Sequence, residues 1–159
     1  YYNPNITSGE EYGKRLGEMY RLTAMMPHER EITVIDPERE TERFLSLAKG
    51  RESLPEGGAR CFDCYRLRLE KTARYMAEHP GKYDYFATTL TVSPHKNAEK
   101  LNEIGYELAE KYGVRYLPSD FKKRGGYKRS IGLSREYSLY RQDFCGCESS
   151  RRLRHPDAD

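Results

Sequence analysis

The chain of 159 residues holds four cysteines, and they fall in two close pairs, Cys61-Phe62-Asp63-Cys64 and Cys145-Gly146-Cys147. Scattered structural cysteines rarely pair this way, and in a chain with no secretory features the pattern favours metal or redox chemistry. The first pair has the spacing that lets two thiolates converge on one metal. Its two intervening residues are expected to form a turn opening a helix, whose N-terminus stabilises the anions. The second pair has one residue between its thiols, and that residue is Gly146, which permits the unusual backbone a Cys-x-Cys ring requires. Such a disulfide is strained, and strain raises its reduction potential, so the pair suits being made and broken during turnover better than stapling a fold. A competing reading closes all four thiolates around one metal. With zinc the protein would be a structural, RNA-binding module with a four-cysteine site, and with a cluster an electron carrier.

Other polar side chains gather near the ends of apolar segments. His95, Lys96 and Asn97 follow the most apolar stretch, in the loop where a substrate would be reached. His28, His79 and His155 lie in polar surroundings and read as solvated surface. Asp120 precedes a basic run and is a candidate metal ligand or proton donor, with a helix cap as its structural role. Residues 120–129 carry five cations against one acid. Lys122, Lys123, Arg124, Lys128 and Arg129 are therefore candidates for phosphate contacts, which bind through charge without reading sequence, and Tyr127 for stacking on an unpaired base. The formal net charge of +3 alone implies no nucleic acid, so this uneven distribution carries the argument.

Those groups must be positioned by a core. Thr7-Ser8-Gly9-Glu10-Glu11 reads as a hydroxyl cap followed by acids, opening a helix to about Met26. Helices are expected over 38–49, 66–78, 98–112 and 130–140, and strands over 31–36, 83–90 and 114–117. Tyr1-Tyr2 before Asn3-Pro4-Asn5 reads as the last residues of a buried strand, with a strand and its following loop expected upstream. Alternation of strand and helix predicts an α/β fold: a small, mainly parallel sheet flanked by helices in a Rossmann-like three-layer arrangement, with ligands at the strands' carboxyl ends. One compact domain over 1–150 and a polar tail over 151–159 are expected. No apolar run approaches a membrane span and no signal-peptide pattern occurs, so the reading is a cytoplasmic protein, without a membrane and as a monomer. No glycine-rich phosphate loop marks a nucleotide-dependent enzyme.

Several longer segments, taken in order, carry a resemblance. Tyr2-Asn3-Pro4-Asn5-Ile6, Arg60-Cys61-Phe62-Asp63-Cys64, residues 66–73, Asp84 through Asn97, Ser119-Asp120-Phe121-Lys122-Lys123, Gly126-Tyr127-Lys128-Arg129-Ser130 and Tyr140 through Cys147 together resemble the QueH-type epoxyqueuosine reductases over nearly the whole chain. The resemblance implies the last step of queuosine formation, in which epoxyqueuosine in a tRNA anticodon loses its epoxide oxygen without cobalamin. It also implies a [4Fe-4S] cluster held by Cys61 and Cys64 together with a further cysteine pair upstream of Tyr2, which this sequence lacks. By the same resemblance Cys145 and Cys147 match the pair that cycles between dithiol and disulfide. Turning an epoxide into an alkene takes two electrons and two protons and releases water. A dithiol carries both electrons, a cluster passes one at a time, and the charge developing on the epoxide oxygen calls for an acid or an additional iron or other metal ion. The partners expected are tRNA carrying epoxyqueuosine and an unidentified electron donor.

Overall fold

In the computed structural model, residues 1–155 are described, and they group into two compact units. One unit comprises Tyr1–Ser53 with the segment from Ile131 onward, the other Leu54–Ser130. The last four residues of the expected polar tail, 156–159, lie outside the described residues.

In the first unit, α1 (Gly9–Met25) starts where its sequence says it should. The Ser8 hydroxyl accepts from the Glu11 amide at 3.3 Å, and Glu10 and Glu11 sit against the positive end of the helix dipole. Its inward residues are Tyr12 and Arg15. The Tyr12 phenol donates to the Asp36 carboxylate, and burial followed by that carboxylate holds the phenol well above its usual pKa. Arg39 lies over the Tyr12 ring at 4.5 Å and donates to the carbonyl of Ile6 at 2.7 Å, so the chain at Ile6 is tied to both. The short helix α2 (Thr41–Ala48) buries Phe44 and Ala48 but leaves Leu45 exposed.

The second unit is built on α3 (Ala59–Ala77) packed against α4 (Ala98–Tyr112). Cys61, Tyr65, Leu69 and Ala73 on α3 meet Leu101, Ile104 and Leu108 on α4, with Phe86 and Tyr116 completing the core. The α4 ends follow the sequence signals: the Asn97 side chain accepts from the Lys100 amide at 3.0 Å, and Gly113 closes the helix at φ +64°. A Cβ at Gly105 would stand inside the Tyr116 ring, so that glycine is what lets the ring lie on the helix. Two more helices follow, α5 (Gly126–Glu136), within which the division between units falls, and α6 (Glu148–Arg154), whose last four residues begin the expected tail.

The α/β expectation is corrected here. Among the described residues the chain is helical and has no sheet; the sole pairing of extended segments is one parallel bridge, Phe86 to Tyr116. Phe86 N–H donates to Arg115 and Leu117 N–H to Phe86, each at 2.9 Å, and the ladder stops there. A parallel sheet needs cover on both faces, yet of the apolar run 83–90 only Phe86 is buried, while Tyr85 and Leu117 beside the bridge are exposed. The Thr88 hydroxyl accepts from the Leu90 amide at 3.2 Å and the chain turns into a 3-10 segment, Leu90–Val92. Residues 31–36 are rich in β-branched side chains but have no ladder partner, and Ile32 faces solvent. Composition alone favoured strands, and pairing decides whether they form.

Candidate redox site and basic loop

Cys61 and Cys64 lie inside the first turns of α3, not in a turn ahead of it, because Gly58 caps the helix and Ala59 begins it. Spaced three apart, they share one face at the helix start, and both are buried. Gly57, at φ +87°, turns its N–H toward the Cys61 sulfur at 3.3 Å. An N–H aimed at sulfur at a helix N-terminus is a geometry that suits an electron-rich thiolate ligand. Two such thiolates are half of what a four-iron cluster needs. Among the described residues no three or more His, Cys, Asp or Glu side chains gather in a way that could hold a metal.

Lys96, expected beside a substrate, is buried and paired with Glu56 at 3.0 Å. It ties the loop just ahead of Gly57 to the segment that caps α4. His95 is exposed, and Asn97 is occupied as the α4 cap. Below them a polar network fixes residues 119–122. Asn102 accepts from Tyr116 at 2.9 Å and from the Ser119 amide at 3.1 Å, Thr91 bonds Ser119 at 3.0 Å, and the Thr91 hydroxyl accepts from the Phe121 amide at 3.3 Å. Burial pushes the Tyr116 phenol up to about 12.

Asp120, at the end of that network, pairs with Lys122 at 2.6 Å and Lys123 at 3.4 Å. The Lys122 hydrogen bond holds its carboxyl below the usual carboxylate range, so Asp120 is ionised at neutral pH. An ionised carboxylate fits a ligand or a charge partner better than a proton source. Arg124, Tyr127, Lys128 and Arg129 lie on the turn and first residues of α5, with Arg124, Lys128 and Arg129 exposed and Tyr127 partly so.

In the other unit the Cys145-Gly146-Cys147 turn is held by groups the sequence did not single out. None of the four cysteines forms a disulfide. Gly146 stands at φ +110°, a conformation that favours glycine, and a Cβ there would lie 2.7 Å from Ile6 Cγ1 and 3.1 Å from Arg15 Nη1. Arg15, only 9% exposed, donates to the carbonyls of Phe144 and Cys145, both at 3.1 Å. Its Nε pairs with Glu11 at 2.5 Å, and Glu11 also accepts from the Tyr140 phenol at 3.2 Å. Ser150 accepts from the Cys145 amide at 3.0 Å. Asn5 donates from Nδ2 to the Cys145 carbonyl at 3.3 Å, with the Cys145 sulfur at 3.8 Å. Tyr2-Asn3-Pro4-Asn5-Ile6 reads as a turn in sequence, and Ile6 N–H does close one on Asn3. The signal for more was the pairing of a polar residue with neighbours that bury it, which no local pattern reveals.

The family model for epoxyqueuosine reductase QueH matches residues 1–152. Proteins named epoxyqueuosine reductase QueH are similar in sequence: that of Staphylococcus epidermidis is 41% identical over 151 residues, covering 92% of this chain and 63% of that protein. The Streptococcus pyogenes protein is 36% identical over 159 residues, covering 99% and 62%. The Thermotoga maritima protein is 36% identical over 163 residues, covering 99% and 82%. The chain thus spans less than two thirds of the staphylococcal and streptococcal proteins.

Proposed function

The chain belongs to the epoxyqueuosine reductase QueH family, and from that premise we propose that it reduces epoxyqueuosine to queuosine in a tRNA anticodon loop. The observation that carries the reading, beside the family, is the Cys-Gly-Cys turn: two thiols bracketing a glycine at φ +110°, in a seat built by Asn5, Arg15 and Ser150. A structural thiol pair needs no such seat.

In the proposed reaction Cys145 and Cys147 lose two hydrogens and become a disulfide. The two electrons and two protons go to the epoxide, whose oxygen leaves as water while its two carbons become an alkene. An external reductant returns the disulfide to the dithiol. Cys61 and Cys64 are proposed as two ligands of a [4Fe-4S] cluster, which when bound supplies electrons one at a time. The Gly57 N–H at Cys61 and the burial of both sulfurs suit that role. Asp120 is proposed to orient Lys122 and to serve as an anionic ligand if a further metal ion takes part. His95, Asn97, Lys122, Lys123, Arg124, Lys128 and Arg129 are proposed to meet the RNA, with Tyr127 stacking on a base. Among the described residues no helix is long and apolar enough to cross a membrane, and a cytoplasmic, monomeric enzyme is proposed.

The test is anaerobic reconstitution with iron and sulfide, then reductant and tRNA bearing epoxyqueuosine, scored by nucleoside mass. Conversion that disappears in Cys61→Ala and in Cys145→Ala supports the reading. A colourless, zinc-loaded protein that binds tRNA and leaves the epoxide intact sinks it.

A further inference from the structure

Asn5 is 1% exposed, yet among the described residues its side-chain carbonyl has no hydrogen-bond partner. An interior acceptor left unpaired costs stability that a leucine of similar size would not incur. The other end of the same amide points at Cys145, and its Nδ2 donates to the carbonyl at 3.3 Å and to the sulfur at 3.8 Å. The backbone of the turn has other support, since Arg15 holds the carbonyls of Phe144 and Cys145 and Ser150 holds the Cys145 amide. What Asn5 adds to those contacts is an N–H directed at the sulfur itself.

We propose that Asn5 is a positioning residue for the redox pair, holding the Cys145 sulfur and favouring its electron-rich, reduced state over the disulfide. This rests on the reading of Cys145 and Cys147 as a cycling dithiol. A reduced sulfur, above all a thiolate, accepts an N–H better than a disulfide sulfur does. Loss of the donor therefore moves the pair toward the disulfide.

The experiment equilibrates the full chain anaerobically with mixtures of reduced and oxidised glutathione. The dithiol and oxidised glutathione give the protein disulfide and two reduced glutathiones, so two electrons and two protons are conserved. After quenching with an alkylating agent, trypsin releases residues 142–151 with both cysteines in one peptide, separate from the peptide 61–66. Asn5→Leu removes the donor, Asn5→Asp replaces it with an anionic acceptor of the same shape, and Asn5→Ser is too short to reach the sulfur. All three are expected to shift the equilibrium constant toward disulfide, by about fivefold in Asn5→Leu and more in Asn5→Asp. Constants within twofold of the parent overturn the inference, and so does loss of helical circular dichroism in all three variants, which would assign Asn5 to the fold. If the parent forms no Cys145–Cys147 disulfide at any glutathione ratio, the cycling-dithiol reading fails as well, and the two failures are told apart by the parent alone.

Discussion

Replacing Gly146 by alanine tests the redox turn through two independent effects. At φ +110° an L residue occupies backbone space that only glycine uses freely, which costs about 1–3 kcal/mol. The new Cβ would also stand 2.7 Å from Ile6 Cγ1 and 3.1 Å from Arg15 Nη1, and Ile6 is itself buried, so the neighbours must shift. Overpacking of that kind costs about 1–3 kcal/mol. Together the structure predicts a loss of about 2–6 kcal/mol, which at a slope of about 2 kcal/mol per molar lowers the urea midpoint of the unit's unfolding by roughly 1–3 M. Gly132→Ala is the matched control, because its α5 position is open and its backbone is helical, and it should gain up to about 1 kcal/mol. Urea unfolding followed by far-ultraviolet circular dichroism reads both. A Gly146→Ala midpoint within about 0.3 M of the parent would refute the packing described for the turn.

Lys96→Met breaks an ion pair in which Lys96 is 7% exposed and removes that cation from Glu56, so a loss of about 3 kcal/mol is expected in thermal or urea unfolding, largely relieved when Glu56→Gln is added. Lys122→Met should raise the Asp120 pKa toward its ordinary value, read by carboxyl carbon chemical shifts; an unchanged titration would remove Lys122 as its cause. In stability terms Asp120's contribution is present above the unfolded carboxylate pKa and lost as pH falls through its lower folded value. Tyr116 behaves oppositely: burial raises its folded pKa to about 12, so its contribution is complete below pH about 10 and lost as pH rises toward 12, visible as late ionisation at about 295 nm that is absent in Tyr116→Phe. Alanine at Lys128 and Arg129 together should weaken tRNA binding at low salt and reduce the salt slope by about 1–2, whereas an unchanged slope would place the RNA elsewhere.

Local signals were legible in the sequence where one or two residues decide an outcome. The Ser8 cap with its following acids and the 98–112 bounds of α4 fall where spacing places them, whereas Asn97 reads in sequence as a substrate contact and the structure uses it as the α4 cap. The start of α3 is not legible in this way, because Gly58 and Ala59 give weak signals and Cys61-Phe62-Asp63-Cys64 reads as a turn ahead of a helix from Arg66. The sheet expectation failed for a deeper reason. Residues 83–90 have a strand's composition, but a strand exists only through partners distant in sequence, and Phe86 finds one bridge to Tyr116. Both cysteine pairs stood out as chemistry, whereas Asn5, Arg15 and Ser150 did not, since each is an ordinary polar residue until the fold buries it against Cys145. Lys96 shows the converse, a cation in an apparent substrate loop that the fold uses internally.

The most direct measurement is a single turnover without added reductant. The reduced protein is stripped of exogenous thiols and mixed anaerobically with excess epoxyqueuosine-bearing tRNA, and queuosine is counted against the redox state of the peptide 142–151. Queuosine is expected to form in step with loss of two hydrogens from that peptide as Cys145 and Cys147 join. Queuosine formed while both thiols remain open to alkylation would contradict the cycling-dithiol reading.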